Sequence, residues 1–194
     1  MSLVLLGILN SQAAAAGGAP AYEHLATTTL SSNASSITLS GLDSYTDYKH
    51  LQLRAVWQST ATGTSEGYGK FRFNSDTGSN YAWHNLQGNQ SSFATDGGWN
   101  QDGIFNYFST GQSTTPQDGS FAIFTMDILD FANTNRYKTM KMLTGTTQYF
   151  PYAPYIRLYS GYWASNNAIT SISFTPLIGQ ITSKTRWSLY GIRG

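Results

Sequence analysis

The 194-residue chain contains no cysteine, so no disulfide staples it. A domain of this length buries roughly 70% of its unfolded surface and can stand on a core alone, which leaves the compartment open. Charge is scarce too. Charged residues make up 11% of the chain against about 25% in ordinary globular proteins, and eleven Lys and Arg face ten Asp and Glu for a net charge of +1. No field of one sign draws the chain to nucleic acid or to an anionic membrane, and neither is expected as a partner. The longest apolar run, Leu3 to Leu9, is far short of the about 20 residues of a spanning helix. No stretch has a convincing amphipathic helical period. No pair of acids or nucleophile–base set suggests catalysis: Asp127 and Asp130 are three residues apart and fall on opposite faces of a strand. No enzyme activity and no cofactor are expected.

Ser, Thr, Asn, Gln and Gly take the place of charge, with 13 Tyr, 10 Phe and 5 Trp. Thr gives a strand a polar outer face without loss of β propensity. A surface this poor in charge offers little resistance to close association, so a homo-oligomer or packed assembly is expected. The chain is organised around Gly119 to Phe131. There Phe121, Ile123 and Leu129 point one way and Ala122, Phe124, Met126 and Ile128 the other. A strand apolar on both faces predicts a central position covered on both.

Its neighbours alternate on one side only. Tyr48 to Gln58 sets Leu51, Leu53, Ala55 and Trp57 against His50, Gln52 and Arg54, and Tyr68 to Asn74 sets Phe71 and Phe73 against Lys70 and Arg72. Further strands are predicted at 22–30, 36–40, 81–86, 104–108, 136–144, 155–163, 168–175 and 184–192, with Pro151, Pro154 and Pro176 at strand margins. Gly88 to Gly103 has no period and reads as a long loop carrying Phe93 and Trp99. Ten or eleven strands without helices predict an all-β fold: an antiparallel β-sandwich, jelly-roll-like, as one domain over 20–194.

Residues 1–19 form a separate piece, the apolar Leu3, Val4, Leu5, Leu6, Ile8 and Leu9 followed by an Ala/Gly-rich hinge. As a secretory signal it lacks a basic start and is short. It reads either as a first strand of its own sheet or as an arm that docks on a partner. Burying four such side chains at roughly 1.5–3 kcal/mol each contributes on the order of 6–12 kcal/mol before ordering costs, enough for a lasting contact.

Three constellations could carry chemistry. His24, His50 and His84 could meet as metal ligands only across strands, and ordinary strand-face histidines explain them as well. Asn74, Asp76 and Asn80 alternate around Gly78 as a calcium-wrapping loop does, without the bidentate Glu of an EF-hand, and an Asx-rich turn accounts for the same residues. Trp83 and Trp99 are candidates for a glycan platform, their alternative being core or subunit contacts.

The runs Ser35-Ser36-Ile37-Thr38-Leu39-Ser40-Gly41-Leu42, Tyr48-Lys49-His50-Leu51-Gln52-Leu53-Arg54, Phe71 to Tyr81 and the closing Trp187-Ser188-Leu189-Tyr190-Gly191-Ile192-Arg193-Gly194 resemble a family of tailed-bacteriophage structural proteins. These are strand and turn residues, so the resemblance transfers no active residue. It implies a virion protein, a capsid decoration (cement) protein or part of a tail appendage. Its partners would be copies of itself, most simply as a homotrimer, and the major capsid or tail proteins. The alternative is a carbohydrate-binding adhesin or receptor-binding module of a tail fibre.

Overall fold

A computed structural model describes residues 20–61, 67–89, 91–108, 121–146 and 155–194. The apolar arm predicted at Leu3 to Leu9, like its hinge, lies outside them. The described chain is all-β, with twelve strands: β1 (Tyr22–Thr29), β2 (Ile37–Ser40), β3 (His50–Trp57), β4 (Gly67–Phe73), β5 (Tyr81–Gly88), β6 (Phe93–Gln101), β7 (Ile104–Phe108), β8 (Ala122–Leu129), β9 (Lys138–Thr146), β10 (Ile156–Trp163), β11 (Ser171–Pro176) and β12 (Arg186–Ile192).

They form two antiparallel sheets, a β-sandwich. The large sheet has the order β1-β12-β3-β8-β9-β10-β5-β6 and the small one β2-β11-β4-β7. Eight strands pair in nested fashion, β1 with β12 and β3 with β8 in one sheet, β2 with β11 and β4 with β7 in the other. That nesting is jelly-roll-like. β9–β10 and β5–β6 then widen the first sheet beyond a jelly roll's four strands.

One-sided patterning places the core as expected. Leu51, Leu53, Ala55 and Trp57 of β3 face inward with Phe71 and Phe73 of β4, and all six are buried. Trp57, Phe71, Phe124, Phe174 and Trp187 interlock between the sheets, with ring centroids 4.9 Å (Phe71–Phe174) to 5.8 Å (Phe71–Trp187) apart in tilted and edge-on pairs. Such pairs add about 0.5–1.5 kcal/mol each beyond area burial.

Two expectations are corrected. β8 is central, but the described residues cover only one of its faces. Ala122, Phe124, Met126 and Ile128 are buried, whereas Ile123 is 56% and Leu129 51% exposed, because the small sheet packs on the inner face alone and no described segment crosses the outer one. The segment read as a loop holds β6, an edge strand on β5. It lacks a hydrophobic period because main-chain pairing holds it while nearly all its side chains are exposed.

Candidate binding surface on the outer face of the large sheet

The registers of β8, β9, β10, β5 and β6 set the outward side chains in four cross-strand rows. The first reads Ile123, Gly145, Ile156, Gly88, Phe93, and the second Thr125, Leu143, Leu158, Leu86, Thr95. Neighbours in a row sit about 5 Å apart and act as one surface. Two glycines in the first row leave a trough of about 630 Å³ edged by Phe93, Ile123, Ile156 and Leu158, with Phe121 and Tyr155 at its end. Leu86, Leu143, Ile156 and Leu158 are all exposed, and Phe93 is 86% exposed.

The third row, Asp127, Lys141, Ser160, His84, Gly97, is polar. A Cβ at Gly97 would meet the Trp83 carbonyl oxygen at 2.9 Å, so this place on the edge strand stays without a side chain. The fourth runs Leu129, Thr139, Tyr162, Ala82 and reaches a register shift in β6. There Asn100 takes φ 52° and Trp99 stands 78% exposed. Such a bulge re-aims a side chain. A second cavity, of about 530 Å³, lies against Trp99, Tyr137, Tyr162, His84 and Ser160.

The other half of the same face, on β1, β12 and β3, is polar and satisfied by itself. Tyr22 and Tyr190 stack at 4.9 Å, with the Arg54 guanidinium 5.5 and 5.2 Å from their ring centres. Arg54 Nε and the Tyr22 hydroxyl donate to Gln52 Oε1, and Gln52 Nε2 donates to Asp127 Oδ1 at 2.7 Å. The face is therefore divided, with its apolar half unoccupied by any described part of the chain.

Both tryptophans singled out in the sequence border the second cavity, but unequally: the Trp99 ring is 78% exposed, whereas Trp83 is 6% exposed and packs its ring inward on Tyr159 and Phe105. In the candidate calcium loop Asp76 already holds three protein donors. Trp163 Nε1 (2.7 Å) and Asn80 Nδ2 (2.9 Å) donate to Oδ2, and the Gly78 N–H (2.8 Å) to Oδ1. Burial pushes this carboxyl up, but the donors outweigh it and hold it below its ordinary value. Asn74 turns away, its Oδ1 accepting from the Thr170 and Ser171 N–H groups. The local geometry is that of the Asx-turn alternative.

The histidines stay apart. His24 bonds Thr27, His50 Nδ1 accepts from the Asp130 N–H at 2.9 Å, and His84 is exposed on β5; no metal-holding group of His, Asp and Glu occurs among the described residues. Asp127 faces out toward Lys141, while Asp130 follows β8 at φ 49° beside Arg136. On the small sheet, Lys70 and Arg72 converge on Asp102, and with Lys70 the larger influence its carboxyl is held below the ordinary range.

Sequence reasoning missed Leu86, Leu143, Ile156, Leu158, Tyr137 and Tyr162 as surface residues. The available signal was in β10, whose two alternating sets, Ile156/Leu158/Tyr162 and Tyr159/Trp163, are both largely apolar, as in β8.

No protein-family model and no curated protein matches the chain. Among solved structures it shows a faint likeness to the binding domain of botulinum neurotoxin DC (TM-score 0.33, 9% identity, 88% of this chain and 41% of that one). Others are alginate lyase vAL-1 from Chlorella virus (TM-score 0.20, 8% identity, 80% and 82%) and the CBM2 module of the evolved Dit of Lactobacillus casei BL23 phage J-1 (TM-score 0.14, 8% identity, 82% and 69%). The chain spans about two fifths of the length of the neurotoxin chains, and a likeness of this degree carries no argument about function.

Proposed function

We propose that this chain is a non-enzymatic virion structural protein of the tailed-bacteriophage kind, which assembles with copies of itself on a capsid, as a decoration protein, or within a tail appendage. The observation that carries the reading is the apolar half of the large sheet's outer face, which no described residue covers. Isolated exposed apolar side chains need no explanation, but two adjoining rows holding Ile123, Ile156, Phe93, Leu143, Leu158 and Leu86 mark a surface meant to be covered. The quoted strand and turn runs, and the scarcity of charge, point the same way.

Magnitudes bear on how the surface works. Six such side chains, from 44% (Leu158) to 86% (Phe93) exposed, gain about 5–11 kcal/mol on full burial. Association costs 4–15 kcal/mol or more in lost freedom, so the face supports an interface between copies without securing it alone. The apolar Leu3 to Leu9 segment supplies the rest. Light scattering after size exclusion tests the reading on the full chain. Wild type is expected to be oligomeric and Leu158→Asp, which sets a charge between Leu143 and Leu86, monomeric with its fold intact. A monomeric wild type, or an unchanged oligomer in Leu158→Asp and Ile156→Asp alike, would sink it. Removing residues 1–18 is expected to reduce incorporation into particles.

A further inference from the structure

The second cavity does not serve that interface. It lies toward the other end of the strands, from the polar row onward, and its composition differs: three exposed aromatic rings and a few polar groups in place of aliphatic side chains. We propose that it is a saccharide-binding slot for a neutral pyranose ring held between Trp99 and Tyr162.

The walls come from different strands. Tyr162 projects from β10 and is backed by Tyr137, whose ring lies 6.5 Å away and within 9° of parallel. Trp99 projects from the edge strand β6, and the bulge at Asn100 sets it outward. Between them runs β5, which presents Ala82 to the slot. Two strand spacings separate the walls by about 9–10 Å. A ring in contact with each wall at about 4 Å fills that gap. A larger residue in place of Ala82 would close it.

The chemistry selects the ligand class. No Asp, Glu, Lys or Arg lines the slot, so it has nothing to neutralise a phosphate, sulfate or carboxylate. It offers the His84 ring and the Ser160 and Thr139 side chains at its floor, groups suited to sugar hydroxyls. A pyranose has the matching form, with C–H groups on its flat faces for the aromatic walls and hydroxyls around its rim. An aromatic residue left mostly in water at a protein's edge forgoes a large apolar contact, and stacking on a sugar recovers it.

Saturation-transfer NMR and calorimetric titration of the full chain test this, with neutral hexaoses of glucose, mannose, galactose and N-acetylglucosamine as probes and a heparin hexasaccharide as the charged control. Transfer to ring C–H protons of a neutral hexaose is expected, with affinity weakened on the order of tenfold in Trp99→Ala and in Tyr162→Ala, and mostly kept in Trp99→Phe. Melting temperatures of these variants should stay close to wild type, because both rings are exposed. Leu158→Asp should leave sugar binding intact, so failure here and failure of the assembly reading are separable. No neutral hexaose bound at about 10 mM, equal affinity in Trp99→Ala, or binding of heparin alone would each overturn the proposal.

Discussion

Asp76 offers the sharpest test of how the turn after β4 is built. Its carboxylate accepts from the Trp163 indole, the Asn80 amide and the Gly78 N–H, and Trp163 is only 2% exposed, so no water replaces the carboxylate. Asp76→Ala orphans a buried indole N–H and removes hydrogen bonds to a charged group. These losses are about 2–4 kcal/mol, or about 4–16 °C of melting temperature at this chain length. Asp76→Asn keeps one acceptor for the indole and loses the charge, so about half that penalty is expected. The pH dependence has a definite sign. A carboxyl held below its ordinary value of 3.8 in the folded state contributes stability that is present above that value and disappears as pH falls through the lowered one. Urea unfolding followed by tryptophan fluorescence between pH 7 and about 2.5 should therefore show wild type and Asp76→Ala converging at the acid end. A difference below about 0.5 kcal/mol at neutral pH, or one that ignores pH, would refute the reasoning. Millimolar calcium is expected to leave the wild-type melting temperature unchanged, since the oxygens are in use. A rise that Asp76→Asn abolishes would show that the donors yield to a cation.

Gly69→Ala should lower stability by about 1–3 kcal/mol in a thermal scan, because the new Cβ meets the buried Phe174 ring, and Phe174→Leu in the same chain should recover part of it. The Tyr81 hydroxyl, buried and bonded to the Phe73 main chain, is pushed up to about 12 by burial, against 10.0 when unfolded. Its contribution is thus complete below pH 10 and lost as pH climbs through about 12, and Tyr81→Phe should flatten the alkaline limb of an unfolding titration. Phe93→Ser, at the exposed rim of the trough, should change stability by less than about 0.5 kcal/mol while weakening self-association in sedimentation velocity.

Strands that alternate cleanly were legible in the sequence, and β3 is the best case, since its inward set contains only Leu51, Leu53, Ala55 and Trp57. The central place of β8 was legible as well. What covers its second face was not, because a residue pattern reports that Ile123 and Leu129 are apolar and says nothing of whether a layer lies over them. β6 left no pattern, since an edge strand held by main-chain hydrogen bonds places no demand on side-chain order. Trp99 stood out as an aromatic in a polar segment, but its partners Tyr137 and Tyr162 are joined to it only by the register of four strands. The unequal exposure of Trp83 and Trp99 depends on register in the same way: Trp83 pairs with Gly98, which turns the Trp99 ring to the other face.

The nested pairing has a consequence for how the molecule is made. β1, the first described strand to leave the ribosome, has its partner in β12, the last, and the Arg193 N–H donates to the Ala21 carbonyl at 2.9 Å where the two meet. The hairpins β8–β9 and β9–β10 can zip as they emerge, whereas β1 must wait with its hydrogen-bonding edge open until β12 has been made. A nascent chain stalled before β12 should be open to proteolysis near its beginning and protected in its middle. Emergence of β12 is then the event that seals the sandwich.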